Sequence, residues 1–260
     1  RKIIEPSGTK SKIITYAADW SEYHSHNAEY NLDDLWVCDD INVVGIDAYF
    51  PLTDIQSYSY FPNRDEIKNG WISGEGYDYY YINDDRDNPI PYSDARFAWK
   101  NIEHWWSNEH ENYPFGGKTK WRPKMKKIWF TEYGFPSIHG STNQPNVFYN
   151  PESFDGGVPN FSNGGVNFDI QRIAIEATIE KWKNSEMIEN MFLWCYDARP
   201  YPYFPILKNV WADGDLWTYG HWVNGKLGRC LLSRIIEDLF SRIGMFQGIS
   251  INTKQLSSSV

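Results

Sequence analysis

The stretch K-K-I-W-F-T-E-Y-G-F-P, Lys126 to Pro136, sets the reading of everything around it. Ile128-Trp129-Phe130 is a compact run of β-forming apolar residues, and it reads as a buried strand. It runs directly into a carboxylate, Glu132, followed by Tyr133-Gly134. Burying a carboxylate costs several kcal/mol unless it is paired, so a glutamate here needs a partner or a task. Gly134 offers the chain a place to turn away after it.

Three more segments share the pattern: Lys12 to Ala18 (KIITYAA), Asn42 to Tyr49 (NVVGIDAY) and Met191 to Tyr196 (MFLWCY). Helical spacing separates them. Ala98, Ile102, Trp105 and Trp106 recur on one helical face, and Ile170, Ile173, Ala174 and Ala177 on another, with Asn167 placed as an N-cap. Strands alternating with helices imply a parallel α/β sheet. The spacer from Pro51 to Met125, rich in Tyr, Trp, Asn and Gly, is too long for a plain crossover and reads as an insertion over one end of the sheet. Phe135 to Phe168 reads as a second such loop. Beyond Gly228 the chain changes character, with Leu231, Leu232, Ile235, Ile236, Leu239, Phe240 and Ile243 on one helical stripe that Gly244 stops. Two domains are expected, 1–228 and 229–260.

The composition narrows the partners. Against 25 basic residues stand 34 acidic ones, a net charge of −9 that repels a phosphate backbone, so nucleic acid is not an expected partner. No apolar run approaches the roughly 18 residues of a membrane-spanning helix. Cys38, Cys195 and Cys230 are widely spaced, which indicates neither a disulfide framework nor a zinc knuckle. Aromatic residues are 17 % of the chain, with 13 Trp, more than a core with ample aliphatics needs. Some rings are therefore expected to line a cleft. The chain opens on Arg1 rather than Met, which suggests a processed chain or a piece of a longer one.

Each strand ends in acid: Asp19 and Glu22 after the first, Asp47 in the second, Glu132 on the third, Asp197 after the fourth. In parallel α/β folds the carboxyl ends of the strands face one cleft. Carboxylates among Trp20, Tyr49, Trp194 and Tyr196 suit a sugar, whose apolar faces stack on rings while its hydroxyls donate to acids. Two carboxyls about 5 to 5.5 Å apart serve a retaining glycosidase, and a pair roughly 6.5 to 9.5 Å apart an inverting one. Taken singly, Asp47 or Asp197 reads first as a helix cap or an ion-pair partner. Glu22, His24 and His26 match no compact zinc motif, and the histidines read as solvated loop residues, so no metal or other cofactor is expected. Gly74-Glu75-Gly76 reads as a turn, and no G-x-S-x-G elbow for serine chemistry occurs.

In order along the chain, the strings ITYAADWSEYH (13–24), VVGIDAYFPL (43–52), GEGYDYYY (74–81), WWSNEH (105–110), IWFTEYGFPS (128–137), NQPNVF (143–148), WCYDARPYPYFP (194–205) and WADGDLWTYGHWVNGKLG (211–228) resemble one family. It is the TIM-barrel-like, glycoside-hydrolase-like domain of gene transfer agents and phage tail host-specificity proteins. The resemblance implies a (β/α)8 barrel on a tail tip that binds or cleaves a cell-envelope polysaccharide or peptidoglycan, beside other tail or baseplate proteins. It places such a protein in the bacterial cytoplasm during assembly and then in the tail of a phage-like particle. Residues from Cys230 onward resemble the start of a following phage-tail domain.

By analogy with retaining barrel glycosidases, Ile128 to Glu132 resembles the seventh barrel strand and Met191 to Tyr196 the eighth. Asn42 to Tyr49 then becomes the sixth and Ile13 to Ala18 the fifth. Glu132 becomes the nucleophile and Trp194 the platform under the reacting sugar. Asp19, Trp20, Glu22, Asp47, Tyr49, Glu75, Asp197 and Arg199 become sugar- or water-positioning residues. Strands one to four have no counterpart, so only the C-terminal half of a barrel is expected, as a fragment of a longer reading frame or a decayed copy. The Gly-Ser-Glu that ends the fourth strand in the family is absent, which leaves the acid/base without a counterpart. A non-catalytic structural or receptor-binding component, keeping the cleft as a lectin-like site, is the alternative.

Overall fold

A computed structural model describes residues 12–25, 29–83, 86–147, 157–194, 206 and 208. Residues Arg1–Tyr196 form one compact unit, and the account below concerns it. Its elements in chain order are β1 (Ala17–Asp19), α1 (Asp33–Trp36), β2 (Val44–Asp47), α2 (Arg64–Asn69), β3 (Tyr79–Tyr80), β4 (Ile90–Pro91), α3 (Ile102–Ser107), β5 (Glu111–Asn112), β6 (Gly117–Lys118), β7 (Ile128–Tyr133), α4 (Phe168–Trp182) and β8 (Ile188–Leu193). The expected 229–260 domain, the helical stripe of 231–243 and the boundary near Gly228 lie outside the described residues.

Four strands form one sheet in the order β1-β2-β7-β8, and every pair is parallel. The expected parallel α/β sheet is present. The described strands form an open sheet and do not close into a barrel.

One face of the sheet is the core. Ala18, Val44, Ile46, Ile128, Phe130 and Ile188 are buried on it. α4 covers this face with Ile170, Ala174, Ala177, Thr178 and Trp182, a spacing of one helical stripe. Its N-cap is Asn167, whose side chain accepts from the Ile170 amide at 3.0 Å. Trp71, in a 3-10 turn after α2, wedges between strand and helix. Its ring lies 5.5 Å from both Phe130 and Trp182, and its indole donates to Thr178. Lys68 of α2 meets Glu180 of α4 at 2.9 Å.

The long spacer differs from the expected insertion. It supplies α2, α3 and two short hairpins, and its Ile67, Trp71, Ile102, Trp105, Trp106 and Trp121 are buried in the common core. Its aromatic richness is spent on packing: four of its five tryptophans are buried, as are six of the ten described in the chain, which leaves few for a cleft. His110 shows the same use. It is stacked 4.2 Å from Tyr30 and 5.2 Å from Trp121, with its ring bound to Asp33 at 2.8 Å.

Two strand limits also differ. The first strand forms ladder pairs only from Ala17, because upstream the Thr15 and Asn42 side chains bond across to the neighbouring backbone in place of a ladder. The last begins at Ile188, three residues before the expected Met191. The exposed Glu189 and Asn190 interrupt its apolar pattern, and the ladder skips Glu189, since Ile128 pairs with Ile188 and Trp129 with Asn190. Tyr196, its expected end, lies outside the described residues.

Candidate functional site

Ladder register decides which acids meet. Asp19 pairs with Asp47, and Asp47 pairs with Glu132, so three carboxylates sit side by side at the carboxyl ends of three adjacent strands. Neighbouring strands lie about 4.8 Å apart, which sets the spacing of that row.

The parity of β7 makes this arrangement less obvious than it looks. Ile128 and Phe130 face the helix layer, and strict alternation would send Glu132 after them. The register slips by one residue here: Ile46 pairs with Phe130 and Asp47 with Glu132, leaving Thr131 as the extra residue of a β-bulge. A bulge puts two residues opposite one and re-aims a side chain. Thr131 and Glu132 both come to face Asp47, and neither is buried like Ile128 or Phe130.

Two hydroxyls brace the pair crosswise. Tyr49, on the β2 side, donates to Glu132 Oε2 at 2.8 Å. Thr131, on β7, donates to Asp47 Oδ1 at 2.7 Å. Partial burial raises the pKa of Glu132, against which the Tyr49 bond works while the Asp47 charge adds to the rise. Burial likewise raises that of Asp47, opposed by Thr131 and reinforced by Asp19.

Asp19 is exposed and half committed to its own turn, accepting from the Ser21 amide at 2.8 Å and the Ser21 hydroxyl at 2.6 Å. Glu22 accepts from the Tyr16 hydroxyl, 3.2 Å from each carboxylate oxygen, and this nearby charge raises the phenol's pKa. Trp194 is 47 % exposed, and its amide donates to the Tyr133 carbonyl, which sets it one strand from Glu132. Gly134 matters here for close approach rather than for a turn, because a Cβ there would overlap the Trp194 carbonyl oxygen.

Other expected site residues go elsewhere. Trp20 packs on Trp99 at 4.8 Å and Phe50 at 6.1 Å. Glu75 is paired with Arg86, which also faces Asp54, while Tyr79 donates to Asp54 at 2.9 Å. That cluster holds the insertion together and is separate from the ladder row. Gly74 and Gly76, at φ of 76° and 80°, make the expected turn around it. His24 is not the solvated loop residue expected. It is 3 % exposed, and burial lowers its pKa to about 3. Asp197, Arg199 and His26 lie outside the described residues.

No group of three or more His, Cys, Asp or Glu side chains with metal-binding geometry occurs among the described residues. A small cleft lies between the loops after β2 and β7, lined by Tyr60, Phe61, His139 and Asn143 among others. It contains none of the acids. The carboxylate row weighs more as a candidate site, because ladder register gathers three acids there.

The comparison with known families is decisive for kinship. The model of the gene transfer agent TIM-barrel-like domain matches residues 2–205. The chain belongs to that family. No curated protein matches it. The four parallel strands of this gene transfer agent TIM-barrel-like domain, and all three ladder acids, fall within the matched span. Thr131 is the residue that strand-end reading overlooked. Its signal was its place directly before Glu132, where an alternating strand would have put it on the open face in any case.

Proposed function

We propose that this domain engages a bacterial cell-envelope glycan at the tip of a tail-like particle, through the acids at the strand ends. Glu132 is the nucleophile of a glycoside hydrolysis, and Asp19 and Glu22 hold sugar hydroxyls or water. Trp194 supplies an exposed ring for a sugar face. Asp197 and Arg199, close in sequence to Trp194, join the binding set. The observation that carries this reading is the register of Asp19, Asp47 and Glu132, which gathers three carboxylates on one side of the sheet beside an exposed tryptophan.

A non-catalytic reading draws on one observation of its own. Among the described residues the row stands on an open sheet face, and hydrolysis gains most where water is excluded. A lectin-like surface needs no such enclosure.

Reducing-sugar release from purified envelope polysaccharide, measured beside co-sedimentation with the same material, separates the two. Glu132→Gln is expected to abolish release and leave sedimentation largely in place. Release that survives the substitution removes Glu132 from the chemistry. Binding with no release by the wild type favours the lectin-like surface.

A further inference from the structure

Three asparagines in the chain stand directly before a glycine: Asn69, Asn163 and Asn224. The third lies outside the described residues, and the fold treats the other two in opposite ways. We propose that Asn163-Gly164 is a site of spontaneous covalent modification, at which the asparagine closes to a cyclic imide, loses ammonia and reopens as isoaspartate or aspartate. This is independent of the glycan reading.

Asn163, Gly164 and Gly165 are all exposed, in a segment that is neither helix nor strand. Gly164 has a φ of 73°, the left-handed region that glycine tolerates, and it brings no Cβ to crowd its own nitrogen. The Asn163 side chain is already curled toward the reaction. Its Oδ1 accepts from the Gly165 amide at 2.8 Å, two residues on, which folds it along the intervening Gly164 peptide. That bond also draws electrons from the side-chain carbonyl carbon and makes it easier to attack. Against it stands one exposed hydrogen bond, from the Gly164 amide to Ser162 Oγ at 3.1 Å, which must be released.

Asn69 has the same neighbour and the opposite setting. It is the last residue of α2, in helical backbone at φ −67° and ψ −29°. Gly70 is buried, and its amide donates to the Glu66 and Lys68 carbonyls. A Cβ on Gly70 would fall on the Leu52 carbonyl, so the backbone there has no room to swing. Helical backbone holds the following nitrogen away from the side-chain carbon, and imide closure at Asn69 therefore needs that turn undone first.

The chemistry balances with water alone. Gly164 gives up its amide proton and its nitrogen bonds to Asn163 Cγ, while the Cγ–Nδ2 bond breaks and that nitrogen takes a proton and leaves as ammonia. Water then adds its oxygen to one of the two imide carbonyls, and the glycine nitrogen recovers a proton as the ring opens. Opening at the main-chain carbonyl leaves the glycine on Cγ, an isoaspartyl link, and opening at Cγ leaves ordinary aspartate. Either product carries a new carboxylate. The isoaspartyl link also lengthens by a methylene a main chain that is stitched to His139. There the Asn163 amide donates to His139 Nδ1 at 3.3 Å, the His139 amide to the Gly165 carbonyl at 2.8 Å, and the Ser162 hydroxyl to the His139 carbonyl. Modification therefore loosens a residue that lines the small cleft beside Tyr60 and Phe61.

The full 260-residue chain, incubated in neutral buffer made with heavy-oxygen water and then mapped by peptide mass spectrometry, tests the site. Asn163 is expected to convert to an acid that carries a heavy oxygen, with isoaspartate in excess of aspartate on fragmentation. Asn69 should convert about tenfold more slowly, because it waits on local opening. In urea both pairs should convert at similar rates, which assigns the difference to the fold. The His139 amide should exchange hydrogen faster in the converted chain. Asn163→Gln, whose longer side chain closes a larger ring less readily, should stay unconverted at that position. An Asn163 that stays intact in the folded chain while it converts in urea overturns the proposal, as does equal conversion of Asn69 and Asn163 in the folded chain. Conversion to aspartate with no isoaspartate overturns the imide route.

Discussion

Lys100 is 2 % exposed, and its ammonium donates to the Pro51 carbonyl at 2.7 Å. The residue ties the insertion to the loop that follows Asp47 and Tyr49, since its own amide also donates to the Gly76 carbonyl. Burial lowers its pKa from 10.5 to about 7, against the pull of Glu75, Asp78 and Asp54. Between those two values the unfolded chain holds a proton that the folded chain does not, so stability rises with pH across that window. Below about pH 7 both states are protonated and the full cost of the buried charge is present. Urea midpoints measured from pH 7 to 9 should therefore climb in the wild type relative to Lys100→Met, whose thioether cannot titrate. Parallel curves for the two proteins would show that the ammonium is better solvated than its burial implies. Neither Lys100 nor the buried His24 could be picked from the sequence, where His24 reads as a solvated loop residue. His24 packs between Tyr23 and Tyr30, and Lys100 closes on the Pro51 carbonyl, contacts that residue type alone does not announce.

At the scale of elements, the bulge at Thr131 carries the site. Deleting Thr131 would remove the extra residue, so that Glu132 follows Phe130 in regular alternation and still faces Asp47 on the open side. The deletion is therefore expected to keep the packing of Phe130 against Trp71 and Trp182 and to lose mainly the Thr131 bond to Asp47, at a cost of about 1 kcal/mol. Near-UV circular dichroism of its tryptophans checks this; a molten spectrum would mean that the strand cannot close up by one residue. The same feature explains what was legible beforehand. Apolar runs announced Ile128–Tyr133 to within a residue, and Val44–Asp47 as the middle of the expected Asn42 to Tyr49, because central strands of a parallel sheet are continuously hydrophobic. Asn167 and the 3.6-residue spacing announced α4. Edge strands were misjudged by a few residues, since Glu189 and Asn190 on β8 are free to be polar. That Asp19, Asp47 and Glu132 share a cleft was readable from strand ends. That they share a ladder row was not, because register and bulges depend on which strands become neighbours.

At the scale of the described unit, the sheet is covered on one side only. Parallel sheets are ordinarily buried on both faces, and exposed edges invite further pairing. Here the reverse face carries Trp129 and Phe192, ring to ring at 5.4 Å, with Phe192 47 % and Leu193 50 % exposed. β1 and β8 form the two ends of the strand order, so each has one side unpaired within the sheet. Apolar surface of this kind is worth about 25 cal/mol for each Å² removed from water, a steady drive toward any cover available. The chain is therefore expected to self-associate, with a scattering mass that grows with concentration. Phe192→Lys, which places a charge on that face without touching the core, should lower the mass at every concentration. The carboxylate row stands on the same face, so association should also slow hydrogen exchange at the β8 amides and restrict access to Glu132. A wild type that stays monomeric across the range would mean that other residues of the same chain lie over the face, and Phe192→Lys would then destabilise it instead of dispersing it.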